Sequence, residues 1–322
     1  MKRWLIALAL IAFGSVFAAP VQAQIGEQPI RIIFPFGAGG SGDALSRLIA
    51  EKLRAGLNRP VIVENRSGAA GRIGVQAVKS AAPDGMTLLL TPIAPVAVYQ
   101  HVYKSLGYDP LTDLDAVAQI GTFDFGIAVG PKVPVKSLKE LVAWAKANPN
   151  EANYATPGAG TLPHFLAVLF GQRAGLDLRH VSYRGSAPAL TDLVGGQLPM
   201  IVTTLSDMTE MHKGGRIKVL AVSGAKRSQF MPEVPTLAEE GYDLTATGWY
   251  GLFVPAKTPP DFVEKVNRIV VDAIKSPDVS ERMLTMGLQP TGTSAAEMAA
   301  IQKRDSAFWA PAVQASGFKA EE

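Results

Sequence analysis

The sequence predicts an α/β protein in two lobes, and three observations carry that reading. About 300 residues follow an apolar leader, more than one hydrophobic core usually organises. Short apolar runs alternate with amphipathic stretches, the grammar of strands joined by helical crossovers. The first run, Ile30 to Phe34, turns through Pro35-Phe36-Gly37-Ala38-Gly39-Gly40-Ser41-Gly42-Asp43 into a helix. Such a glycine-dense turn aims unpaired backbone N–H groups at one point, which makes an anion site from main chain alone.

The elements follow in order. Lys2 and Arg3 precede the apolar run Trp4 to Phe17, and Val21-Gln22-Ala23 offers small residues to a signal peptidase, so residues 1–23 read as an export signal cut before Gln24. After the glycine turn, Leu45, Leu48, Ile49 and Leu53 recur at helical spacing, and Gly56 is expected as a left-handed C-cap. Strand Val61 to Glu64, the flexible turn Asn65 to Gly71, a helix from Ile73 to Ala82 and strand Thr87 to Thr91 complete a first β-α-β-α-β unit. Strands at Leu114 to Gly121 and Phe125 to Val129 come next. Ser137-Leu138-Lys139-Glu140 is a capping box that starts a helix ending before Asn148-Pro149. Further strand-loop-helix units are expected at Asn153, Leu178, Met200 and Lys218, then a long strand from Thr245 to Val254 and a helical remainder.

Composition narrows the function classes. The chain has no cysteine, which excludes a lipidated N-terminal Cys, a disulfide scaffold and thiolate metal sites. Its formal charge of +3 includes Lys2 and Arg3, so 3 − 2 leaves +1 after cleavage. That provides no field for nucleic acid or anionic lipid. Histidines at 101, 164, 180 and 212 have no metal-ligand spacing. No metal or cofactor is expected.

Many motifs, in one order over nearly all of residues 24–317, resemble the Bug or TctC-type extracytoplasmic solute receptors. They are Pro29 to Phe36 with Gly39, Gly40 and Asp43; Val61 to Arg66 with Gly68 and Gly71; Ala82-Pro83-Asp84-Gly85; and Tyr108-Asp109-Pro110. Asn153-Tyr154-Ala155, Tyr183-Arg184-Gly185, Pro188 to Asp192, Gly195-Gly196-Gln197, Val234-Pro235-Thr236, Trp249-Tyr250-Gly251 and Thr258-Pro259-Pro260 continue them. The resemblance implies a Venus-flytrap, type II periplasmic-binding-protein fold, each lobe a mostly parallel sheet flanked by helices. Lobe one would comprise 24–122 plus 248–322, and lobe two 123–247. It further implies a monomeric periplasmic receptor without a catalytic step. Such a receptor closes on a small carboxylate and delivers it to membrane transporter subunits, with signalling through a membrane sensor kinase as the alternative.

The candidate site is assembled from loops. Phe36, Gly37, Ala38, Gly40 and Ser41 bring backbone to a carboxylate, while Asp43 caps the helix and braces the turn. Thr156, Gly158, Thr161 and His164 form a second strand-to-helix turn; Tyr183, Gly185, Ser186 and Ala187 form a third. Thr204, Asp207 and Trp249 complete the set; Trp249 and its neighbour Tyr250 are placed to stack on the ligand or pack the hinge. Pro92, Ile93 and Ala94 are apolar where many relatives carry hydroxyls and glycine, which points to a ligand with a less polar far end, an aromatic or short aliphatic acid. Arg184 reads as a solvated loop cation. Arg72 reads as a surface charge that would pair a second carboxylate if its helix start faced the cleft.

Three enzyme readings compete over the first turn. Gly37, Gly39 and Gly42 form a G-x-G-x-x-G with Glu64 downstream, but an exported protein meets little nicotinamide cofactor. Asp43 stands where a P-loop needs lysine, which reverses the charge. Gly39-Gly40-Ser41-Gly42 falls one residue short of a nucleophile elbow, with no Asp and His pairing to serve it.

Overall fold

The computed structural model describes residues 28–318 and 320; the leader expected at 1–23 lies outside them. The first half opens with β1 (Ile30–Phe34), α1 (Ser41–Leu57), β2 (Val61–Asn65), α2 (Arg72–Lys79) and β3 (Thr87–Pro92). Apart from the half-buried Arg31, strand β1 is apolar and buried, and it pairs in parallel with β2 and β3. Helix α1 buries Leu45, Leu48, Ile49 and Leu53 as its spacing predicts. Its C-cap is Asn58, at φ 49°, and Gly56 lies inside the helix instead. A Cβ on Gly56 would come within 2.8 Å of Ile269, so that glycine serves close packing of helices rather than termination.

Strand β4 runs unbroken from Leu114 to Val129, where two strands were expected. Gly121 to Asp124 holds extended pairing because β9 (Thr247–Pro255) lies alongside it, matching Phe123 to Gly248 and Asp124 to Thr247. The second half follows β4 with α3 (Leu138–Ala147), β5 (Asn153–Thr156), α4 (Leu162–Ala174), β6 (Arg179–Ser182), α5 (Ser186–Val194), β7 (Met200–Thr204), α6 (Leu205–Lys213) and β8 (Lys218–Val222). Ser137 caps α3 by accepting the Glu140 N–H at 3.2 Å, a contact worth about 1 kcal/mol. After β9 come α7 (Pro260–Lys275), α8 (Pro277–Thr285), β10 (Gln289–Pro290) and α9 (Ala295–Ser316).

The strand order is β2-β1-β3-β9-β4-β7-β5-β6, with β8 and β10 also on β4. Parallel pairs occupy the outer parts: β2, β1 and β3 on one side, β7, β5 and β6 on the other. Between them β9 and β4 add antiparallel pairing, since a strand that crosses and returns must run both ways. This is a two-lobed α/β fold in which β4 belongs to both sheets. The end of α9 also reaches the second half. Gln172 Nε2 donates to the Ser316 carbonyl at 3.2 Å, and Phe318 sets its ring edge-on to His164 at 4.5 Å.

Candidate functional site

The two halves meet over an apolar cavity of about 60 Å³. The turn after β1 supplies Phe36, Gly37, Gly40 and Gly42, and the turn after β3 supplies Pro92, Ile93 and Ala94. The second half adds Pro157, Thr161 to Pro163, Gly185, Ser186, Thr204 and Asp207. Phe34, Phe123, Phe125 and Tyr250 form the aromatic floor, with Phe123 and Tyr250 ring centres 4.6 Å apart and Phe123 and Phe125 edge to face at 5.5 Å. Such pairs add roughly 0.5–1.5 kcal/mol each beyond area burial.

The halves are drawn together by main chain. Gly37 N–H donates to the Arg184 carbonyl at 2.9 Å, and a Cβ on Gly37 would stand 2.7 Å from that oxygen. Only glycine allows this approach. At the start of α1, Ser41 N–H donates to Asp207 Oδ1 at 2.6 Å, and Ser206 Oγ donates to Ser41 Oγ at 3.0 Å. The free amide of a helix N-terminus attracts negative charge. Here a carboxylate of the chain itself takes that place. Tyr250 hydroxyl lies 3.3 Å from Ser41 Oγ. Burial, with Asp207 beside it, pushes that hydroxyl well above the ordinary tyrosine range, so it stays protonated and neutral.

Behind the turn, Asp43 Oδ2 accepts the Gly39 N–H at 3.1 Å and the carboxylate also receives Arg47 and Asn65. Burial pushes its pKa up, but those donors more than offset it and hold the group below the usual carboxylate range. The cap of α1 is Gly40, without a side-chain bond, so Asp43 braces the turn rather than capping the helix.

Of the residues expected from sequence, Phe36, Gly37, Gly40, Pro92, Ile93, Ala94, Thr161, Gly185, Ser186, Thr204 and Asp207 line this one cavity. The others lie nearby with different partners. Ala38 is exposed at the turn's tip, and Ala187 sits 3.4 Å from where a Gly39 Cβ would be. Ser41 stands one shell behind, bonded as above. Gly158 offers its carbonyl to the hydroxyls of Thr156 at 3.0 Å and Thr161 at 2.7 Å. His164 Nδ1 accepts the Gly160 N–H at 3.1 Å while its ring stacks on His180 at 4.1 Å. Burial, then the neighbouring imidazole, pushes His164 down to about 3, and burial pushes His180 down to about 4. Tyr183 donates to Asp192 at 2.6 Å and faces a different, outer pocket. Trp249 is buried with Nε1 donating to Asp305 at 2.8 Å.

Sequence reasoning passed over Phe34, Gly42, Phe123, Phe125, Pro157, Leu162 and Pro163, and it weighed Tyr250 only together with Trp249, as an aromatic to stack on the ligand or pack the hinge. The alternation Phe123-Asp124-Phe125 at a lobe crossing was a usable signal, since residues two apart on a strand share a face. For Trp249 and Tyr250 the same alternation says only that they face opposite ways.

Three kinds of comparison agree with this geometry. The family model for the "Tripartite tricarboxylate transporter family receptor" matches residues 45–318. Protein BugT of Bordetella pertussis (strain Tohama I) is 34% identical over 322 residues, covering 99% of each chain. Among solved structures, Rpa4515 of R. palustris with adipate superposes with a TM-score of 0.87 at 29% identity, covering 90% of this chain and 98% of its own. MatC (Rpa3494) of Rhodopseudomonas palustris with bound malate gives 0.84 at 26%, covering 88% and 98%. On these matches, over a shared fold with its cavity between two halves, the chain belongs to the tripartite tricarboxylate transporter receptor family, the Bug/TctC-type solute receptors.

Proposed function

We propose that this protein is a non-catalytic periplasmic receptor that closes on a small carboxylate with an apolar body and hands it to membrane transporter subunits. Residues 24–122 plus 248–322 form one lobe and 123–247 the other, with β4 and β9 as the crossings. The leader at 1–23 directs export. Relatives solved with adipate and malate support the ligand class.

One observation carries the finer reading. The cavity pairs a turn of backbone amides with a wall of Pro92, Ile93 and Ala94 and a floor of phenyl rings. A carboxylate would take the amide of Ser41 by displacing Asp207, and the hydrocarbon remainder would lie on the rings. Ser41 Oγ meets the hydroxyls of Tyr250 and Ser206. Neither is a base, which supports binding without turnover.

Binding thermograms against benzoate, short aliphatic acids, adipate, malate and citrate test this. Affinity for the mono- or less polar acids is expected, with the compound recovered unchanged. Exclusive affinity for citrate or malate would sink the apolar ligand, and consumption of any acid would sink the receptor reading.

A further inference from the structure

Outside the inner cavity lies a second pocket of about 480 Å³, sharing Phe36 and Pro157 with the first. Its rim comes from Ser67 to Arg72 in the first half, from Ser182 to Arg184 in the second, and from Phe318 at the chain's end. Two arginines line it and, among the described residues, no carboxylate does. Neither Arg72 nor Arg184 makes an ion pair among the described residues. Arg72 is held by its own surroundings: its guanidinium lies 4.0 Å over the Tyr103 ring and Nε donates to the Ala69 carbonyl at 3.3 Å. A cation fixed on an aromatic face keeps its charge while losing freedom, which preorganises it for an anion.

The backbone there is unusual too. Gly68, Ala69, Ala70 and Gly71 have φ of 138°, 46°, 54° and 94°. Two alanines in the left-handed region cost about 1 kcal/mol or more each. Tyr99 hydroxyl, donating to the Ala70 carbonyl at 2.6 Å, holds the loop in place. Strain kept at a pocket's rim marks a surface shaped for contact rather than for stability.

We propose that this outer pocket is a second carboxylate site, a vestibule at which Arg72 and Arg184 gather the anionic ligand at the mouth of the inner cavity. It rests on the carboxylate-receptor reading for the identity of its anion, and its test does not depend on the inner site. Uncompensated positive charge in a concave mouth raises the local concentration of anions and their rate of capture. Dicarboxylates and larger acids, which present charge beyond the reach of the Ser41 amide, fit it best.

The probe is benzene-1,3,5-tricarboxylate, a rigid trianion whose three splayed charges are unsuited to the inner cavity's wall of Pro92, Ile93 and Ala94 and floor of phenyl rings. Titrated calorimetrically into the full chain, it is expected to bind and to weaken with added salt. R72Q/R184Q should lower its affinity about tenfold or more, with the circular dichroism spectrum of the folded protein kept. A crystal soak should place it between Arg72 and Arg184. No binding, an affinity indifferent to the double substitution, or density elsewhere overturns the vestibule. If small acids fail to enter the inner cavity while the trianion still binds through the arginines, the vestibule stands and the inner-site reading falls.

Discussion

Two strand-to-helix turns face each other across the molecule, and they spend their polar groups in opposite directions. In the turn from β1 to α1, Gly37 N–H and Ser41 N–H both reach the other half, to the Arg184 carbonyl and to Asp207. In the turn from β5 to α4, Gly158 N–H turns back to Thr156, Gly160 N–H to His164 and Thr161 hydroxyl to Gly158. One turn therefore sends two of its donors across to the other half and keeps only Gly39 N–H for its own Asp43. The other is a self-satisfied buttress whose shape, not its hydrogen bonding, meets the cavity. Equivalent sequence grammar thus makes an inter-half contact in one place and a support in the other. The difference lies in where the acceptors sit: those of Gly37 and Ser41 are in the other half, whereas those of Gly158, Ala159 and Gly160 are in the same half.

The largest expected effect breaks the open turn. G37A puts a methyl 2.7 Å from the Arg184 carbonyl, a backbone atom that cannot step aside. The closed contact is lost, and affinity for the best carboxylate of the panel should fall about tenfold or more by calorimetry. Unchanged affinity would show that docking of this turn is dispensable.

D207N sharpens the comparison with a smaller effect of opposite sign. It removes the negative charge that occupies the α1 terminus, so carboxylates should bind about threefold to tenfold more tightly. Weaker binding would instead make Asp207 an acceptor for a ligand donor.

The buttress should answer to pH rather than to ligand. His164 and His180 titrate near 6.5 when unfolded but are pushed down to about 3 and about 4 in the fold. Below pH 6.5 the unfolded chain takes up protons that these stacked rings refuse, so their contribution is whole above 6.5 and is lost as pH falls towards 4. Calorimetric melting should drop by several degrees over that interval, and H180Q should flatten the drop. An unaltered profile in H180Q would place the titration elsewhere.

Much of this was legible in the sequence where the information is local. The strand at Ile30 to Phe34, the helix cap at Ser137 and the glycine turn follow from periodicity and from side chains within four residues. The motifs resembling Bug/TctC receptors were likewise readable in order along the chain. The sequence alone therefore settled the α/β class, most of the element order and the position of the glycine-dense strand-to-helix turn.

Tertiary structure decided the rest. A period of two tells that Trp249 and Tyr250 face opposite ways, but packing of α9, through Asp305, sends Trp249 into the core and leaves Tyr250 to the cavity. The break expected at Gly121 to Phe125 vanished because β9 supplies pairing that no local pattern records. Ser41 and Asp207 stand 166 residues apart, and their meeting depends on how the two halves close. Local propensity cannot encode a contact whose partner is chosen by docking, which is why the turn was readable early and its occupant only in three dimensions.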